Sequence, residues 1–149
     1  MMMIFRSNQH FMFLDIEPKG KARHRDRAVI TKSGRAFTTH YPDPRQKNYV
    51  KELTQLIRYE YQGDLIQGAV EVLWTALMPI PKSWSKKKRQ ETYHTKVPHI
   101  KKPDSDNLEK MLFDCMNGIV WKDDCQVWRV FKEKRYSVET GWCVTIIGE

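Results

Sequence analysis

Apolar positions recur along the 149-residue chain with two periods, and the change from one to the other separates strands from helices. Phe11 to Glu17 (FMFLDIE) contains a short alternating stretch that predicts a strand, ended by Pro18 and Gly20. Lys19 to Arg27 reads as loop or ribbon. Ala28 to Ile30 and Ala36 to Thr39 flank Ser33-Gly34, which predicts a small hairpin turning at Lys32 to Arg35. From Pro44 to Tyr61 the positions Tyr49, Val50, Leu53, Leu56, Ile57 and Tyr61 recur at helical spacing, with Asp43 as N-cap, Pro44 first in the helix and Gly63 as its stop. Gly68 to Leu77 is rich in Val, Leu, Trp and Thr and predicts a central strand, closed by Met78-Pro79-Ile80-Pro81. Ser83 to Thr92 fits a short polar helix or a flexible loop.

The clearest helical signal lies within Lys102 to Val127. Leu108, Met111, Leu112, Cys115 and Met116 follow i, i+3, i+4, i+7 and i+8, which predicts an amphipathic helix with Cys115 in the core. Asp106 followed by Glu109 has capping-box spacing, and Asn117-Gly118 supplies the C-terminal stop. Ile119 to Trp121 then predicts a brief strand, Gln126 to Tyr136 a long one, and Trp142 to Ile147 its antiparallel partner across Glu139 to Gly141. Alternating helices and strands of this kind predict an α/β (α+β) fold: a mixed sheet of about four to five strands packed with two main helices. A chain of this length suits a single domain over residues 1–149.

Charge sharpens the picture. The net charge of +8 is unevenly distributed. Pro18 to Arg35 holds seven basic residues (Lys19, Lys21, Arg23, Arg25, Arg27, Lys32, Arg35) against Asp26 alone. Lys82 to Lys102 holds eight (Lys82, Lys86, Lys87, Lys88, Arg89, Lys96, Lys101, Lys102) against Glu91. Between Asp104 and Asp124 the sign reverses, with six acids (Asp104, Asp106, Glu109, Asp114, Asp123, Asp124) and two lysines, Lys110 and Lys122. An acidic focus between cationic segments suits a polyanionic partner, because the cations hold phosphates while the carboxylates hold metal. The three cysteines lack CxxC spacing, so neither a disulfide framework nor a zinc site is expected. No apolar run is long enough to span a bilayer and the N-terminus does not read as a signal peptide, so a cytoplasmic protein without a membrane role is expected.

Asp104 and Asp106 lie two apart before a helix, and Asp124 approaches from the next turn, so three carboxylates are expected to converge. Such a cluster calls for a hard divalent cation, and Mg²⁺ held by a few carboxylates, waters and a substrate phosphate fits best. Lys110, one turn beyond Asp106, is placed to steady developing negative charge. Plainer roles stay open. Asp106 also serves as a cap, Asp123-Asp124 as a solvated turn, and Lys110 with Asp114 as an ordinary i,i+4 pair. Trp121, Trp128 and Trp142 suit packing, whereas Trp84, among lysines, is a candidate for DNA contact.

Pro103-Asp104-Ser105-Asp106-Asn107-Leu108-Glu109-Lys110, with Phe113-Asp114, Asn117-Gly118 and Trp121-Lys122-Asp123-Asp124-Cys125-Gln126-Val127, closely resembles the signature of the RusA-like endodeoxyribonucleases, the Holliday-junction resolvases. Pro18 to Arg23, Gly34 to Thr38 and Pro81 to Trp84 extend the likeness over most of the chain. The resemblance implies a homodimer that nicks a four-way DNA junction symmetrically, using Mg²⁺ on Asp104, Asp106 and Asp124 and a required lysine, Lys110. Asp123 is an additional candidate ligand. Lys19, Lys21, Arg23, Arg25, Lys82, Trp84, Lys86, Lys87, Lys88, Arg89, Lys101 and Lys102 are the expected DNA contacts. Met1 to His10 has no evident counterpart in the family. A non-catalytic nucleic-acid-binding module and a nuclease of flaps or forks are the alternatives.

Overall fold

The computed structural model of the protein describes residues 8–22, 25–41 and 43–148. The elements run β1 (Asn8–Leu14), β2 (Arg25–Ile30), β3 (Ala36–Tyr41), α1 (Pro44–Glu60), β4 (Val70–Pro79), α2 (Lys86–His94), β5 (Val97–Pro98), α3 (Ser105–Met116), a 3₁₀ turn (Asp124–Gln126), β6 (Val127–Ser137) and β7 (Gly141–Gly148). Five strands form one mixed sheet in the order β1-β7-β4-β6-β5, and β2 with β3 forms a separate ribbon. This is the predicted α+β architecture, with the polar 83–92 stretch resolved as the short helix α2. Asn8 to His10 belong to β1, and the rest of the N-terminal extension lies outside the described residues.

Period-two burial builds the core. Val70, Val72, Trp74, Ala76 and Met78 of β4 share one face with Trp142, Val144 and Ile146 of β7 and Met12 and Leu14 of β1. Tyr49, Leu53 and Ile57 of α1 and Leu108, Met111, Leu112, Cys115 and Met116 of α3 cover that face. Each buried Val, Leu, Ile or Met among them contributes about 1.5–3 kcal/mol. The opposite face carries Phe11, Phe13, Leu73 and Phe131, all exposed.

Four expectations need correction. The strand β7 does not pair with β6: it lies between β1 and β4, and β4 runs parallel to β6. The reason is burial, since β4 is apolar enough for an interior position while β6 carries Lys132-Glu133-Lys134-Arg135 and suits a place near the edge. Asp104, not Asp106, caps α3, its carboxylate accepting the Asn107 N–H at 2.9 Å. Ile119 to Trp121 makes no strand, because Val120 and Trp121 turn inward to full burial after Gly118 (φ 79°). Trp128 is 60% exposed with Arg129 stacked 4.3 Å from its ring centroid, whereas Trp121 and Trp142 are buried as expected. Among the described residues no helix is long and apolar enough to cross a membrane.

Candidate active site

The first turn of α3 brings two acids, Asp106 and Glu109, onto one lysine. Asp104 terminates an extended segment (φ −72°, ψ 161°) and starts the helix, so Asp106 falls in the first turn with its side chain 79% exposed. An acid there is favoured by the helix dipole. Glu109, one turn on, is held from below by the buried Trp74, whose indole Nε1–H donates to Oε1 at 3.2 Å. Between the two acids stands Lys132 of β6, 3.0 Å from Asp106 Oδ1 and 3.5 Å from Glu109 Oε2. Burial works against the Lys132 ammonium, but its hydrogen bond to Asp106 and the Glu109 charge outweigh this and raise its pKa.

Two other segments close in on this end of the helix. Lys134 of β6 donates to the carbonyls of Lys101 and Pro103, the latter at 2.6 Å, and so fastens the approach to Asp104. Burial lowers the Lys134 pKa against the opposing pull of Asp104. On the other side the Glu17–Lys21 segment is tied down: Tyr49 Oη donates to Glu17 O and accepts from Lys19 N–H, and Lys21 N–H donates to Asn107 O. Gly20 is required by the close approach, since a Cβ there would lie 2.9 Å from Pro103 Cβ. Gly20, Lys21, Lys102, Pro103, Asp104 and Asn107 line an open cleft of about 680 Å³, with one carboxylate and two lysines in its lining.

Asp124 sits elsewhere. Its carboxyl lies beside Asn117 at the C-terminal end of α3, and burial raises its pKa, with Asp123 and Asp114 adding to the effect. Asp106 and Met116 are ten positions apart, about 15 Å along a helix axis, so Asp124 does not join Asp104 and Asp106. Asp123 is a cap: its Oδ1 accepts the Cys125 N–H at 2.9 Å while Gln126 Oε1 accepts the Asp123 N–H. Among the described residues no three His, Cys, Asp or Glu side chains are gathered closely enough to enclose an ion. The expected convergence of three aspartates is therefore absent from this arrangement, because the turn after α3 folds back at the helix's far end. At the near end two carboxylates, those of Asp106 and Glu109, converge on the single ammonium of Lys132.

The family model described as Endodeoxyribonuclease RusA matches residues 15–147, nearly the whole chain. The chain belongs to the RusA family. It is also 33% identical over 103 residues, 67% of this chain and 72% of the relative, to "Uncharacterized protein YqaN" of Bacillus subtilis (strain 168). The RusA family is one of endodeoxyribonucleases, so nuclease action on DNA is the activity to which this fold belongs.

Within this RusA-family chain the proposed DNA contacts divide. Lys19, Lys82, Lys86, Lys87, Lys88, Lys101 and Lys102 are exposed, and Lys21 borders the α3 terminus. Arg23 and the Arg25 side chain lie outside the described residues. Two candidates are engaged internally. Arg89 donates to the carbonyls of Pro81, Lys82 and Trp84. Trp84 packs 4.6 Å from Tyr136, centroid to centroid, with Lys88 Nζ 4.1 Å over its ring. Lys110 is exposed on α3, and Asp114 pairs with Lys21 instead of Lys110. Sequence reasoning missed Lys132, Lys134 and Glu109 as parts of the site. The signal was available in the alternation Val130, Lys132, Lys134, Tyr136, which sets both lysines on the helix-bearing face of β6.

Proposed function

We propose that this protein is a Mg²⁺-dependent endodeoxyribonuclease that resolves four-way DNA junctions as a symmetric homodimer by paired nicking. The observation that carries the reading is the acidic first turn of α3 set against a lysine-lined cleft. Asp104 and Asp106 hold the ion. When bound, Mg²⁺ supplies Lewis-acid polarisation of a phosphoryl oxygen and a water of lowered pKa. Lys102 seats the phosphodiester in the cleft, beside Lys21, whose charge is largely engaged by Asp114, and Lys110, one turn along from Asp106, neutralises charge on the leaving side. Lys19, Lys82, Lys86, Lys87, Lys88 and Lys101 hold flanking phosphates. Asp124 enters the proposed catalytic set through the family likeness, and a shift on the order of 10 Å would be needed for it to share the ion of Asp104 and Asp106. Homodimerisation is supported by the exposed Phe11, Phe13, Leu73 and Phe131 on the open sheet face.

A non-catalytic binding module is the second reading, favoured by the capping roles of Asp104 and Asp123. Cleavage of labelled four-way, flap and fork DNA, with and without Mg²⁺, separates the readings. Symmetric nicks in the four-way substrate that require Mg²⁺ are expected, and Asp106→Asn should slow them on the order of 100-fold or more while junction binding persists. Binding without nicks in any divalent metal would establish the module, and preferential flap cutting would establish the flap-type nuclease. Calorimetric Mg²⁺ titration distinguishes the two ends of α3. Asp106→Asn is expected to weaken binding at least tenfold and Asp124→Asn by no more than about twofold; equal losses would mean that both ends serve one ion.

A further inference from the structure

The charge order at the first turn of α3 has a property that the nuclease reading does not use. Asp106 and Glu109 are neighbours on the helix surface, where like charges repel, and their carboxylates nevertheless point to a common centre. That centre is the ammonium of Lys132, which reaches it from β6, beside Trp74 in the strand register. Neither partner is loosely placed. Glu109 is fixed by the Trp74 indole, and Trp74 is itself fully buried and edge-packed on Trp142 at 5.7 Å. Lys132 springs from the interior of an eleven-residue strand. A single positive charge thus occupies the position from which a hard cation would meet the Asp106 carboxylate.

We propose that Lys132 is a resident counter-cation of this centre. Its ammonium holds Asp106 and Glu109 in place, and it withdraws from Asp106 when a divalent cation held by Asp104 and Asp106 takes that carboxylate. Lys132 thereby sets the affinity for the ion, and Glu109, anchored to the core through Trp74, is a positioning residue that keeps the oxygens facing one another. The inference rests on the Mg²⁺ reading above. A compact ammonium on a flexible four-carbon stem suits the role, because it supplies charge without a fixed geometry and swings away along the strand face.

The test is calorimetric titration of Mg²⁺ into the full chain and its Lys132→Met and Lys132→Arg variants, with circular dichroism to verify folding. Removal of a competing positive charge predicts that Lys132→Met binds Mg²⁺ about fivefold more tightly, while Lys132→Arg stays near the wild type. In EDTA, Lys132→Met should melt lower than the wild type, and Mg²⁺ should raise its melting temperature more. An ion pair with a purely structural role predicts the reverse for binding, since loss of Lys132 would loosen Asp106. Unchanged or weaker Mg²⁺ binding by folded Lys132→Met therefore overturns the proposal. The gain should also disappear in an Asp106→Asn background, and its persistence there would equally overturn it. Should Lys132→Met fail to fold, Lys132→Gln keeps most of the stem and carries the same expectation. A wild type that takes up no divalent cation refutes the Mg²⁺ reading and this inference together, whereas a wild type that binds Mg²⁺ beside a variant that gains nothing refutes the inference alone.

Discussion

Tyr49 joins the core to the basic loop through one hydroxyl. Its Oη donates to Glu17 O at 2.7 Å and accepts from Lys19 N–H at 3.1 Å and from Trp142 Nε1–H at 3.2 Å. Burial outweighs these donors and pushes the phenol up to about 12, against an ordinary value of 10.0. Because the folded pKa is the higher one, the stabilisation is fully present below pH 10 and is lost as pH rises from there through 12. Tyr49→Phe removes this titration and leaves two donors without an acceptor, which costs about 1–3 kcal/mol at neutral pH. Urea unfolding from pH 7 to 12 should then show the wild type losing its advantage over Tyr49→Phe above pH 10, by about 2 kcal/mol. Parallel pH profiles for the two proteins would mean that the hydroxyl titrates no differently in the folded state.

The basic loop, the 99–104 segment and α3 act together at the scale of elements, and their lysines are not equivalent. Lys101 and Lys102 are exposed beside Asp104, whereas Lys21 is neutralised by Asp114. Each phosphate contact contributes about 0.9 to the slope of log affinity against log salt. Junction-binding titrations across salt concentrations should therefore show Lys101→Ala with Lys102→Ala reducing the slope by about 2, and Lys21→Ala by less than about 0.9. A full unit lost on Lys21→Ala would place its charge on DNA rather than on Asp114. Much of this level was legible in the chain. Helical spacing located α1 and α3 correctly because each buries one stripe, as Tyr49, Leu53 and Ile57 show. Sheet order was not legible, since alternation tells which side of a strand is buried but not which strand lies beside it. The cap of α3 was ambiguous for a related reason: Asp104 and Asp106 both precede suitable N–H groups, and the extended backbone at Asp104 decides between them. The two-part acidic motif was plain in sequence, but the separation of Asp124 depends on where the chain travels after Gly118.

Among the described residues the helices cover one face of the sheet and leave the other bare. On the bare face the strand registers align Phe11, Thr145, Leu73 and Phe131 in one row and Phe13, Cys143, Thr75 and Glu133 in the next. Part of this surface forms a depression of about 410 Å³. Four large apolar side chains in water on a chain of net charge +8 are costly to keep exposed, and a second copy related by a two-fold axis would bury both sets at once. The α3 terminus lies on the opposite face, so pairing through the bare sheet would leave both acidic sites open to DNA. Phe131→Glu should accordingly abolish dimerisation in light scattering at micromolar concentration without altering the circular dichroism spectrum, because Phe131 is 60% exposed and contributes little to the protomer core. On a cruciform plasmid the wild type should linearise the circle by two nicks within the lifetime of one complex. The monomeric variant should instead accumulate nicked circles, since each protomer retains Asp104, Asp106 and Lys110 but has no partner to make the second cut. A Phe131→Glu protein that remains dimeric would move the interface to another surface, and one that still linearises the plasmid as a monomer would separate paired cleavage from dimerisation altogether.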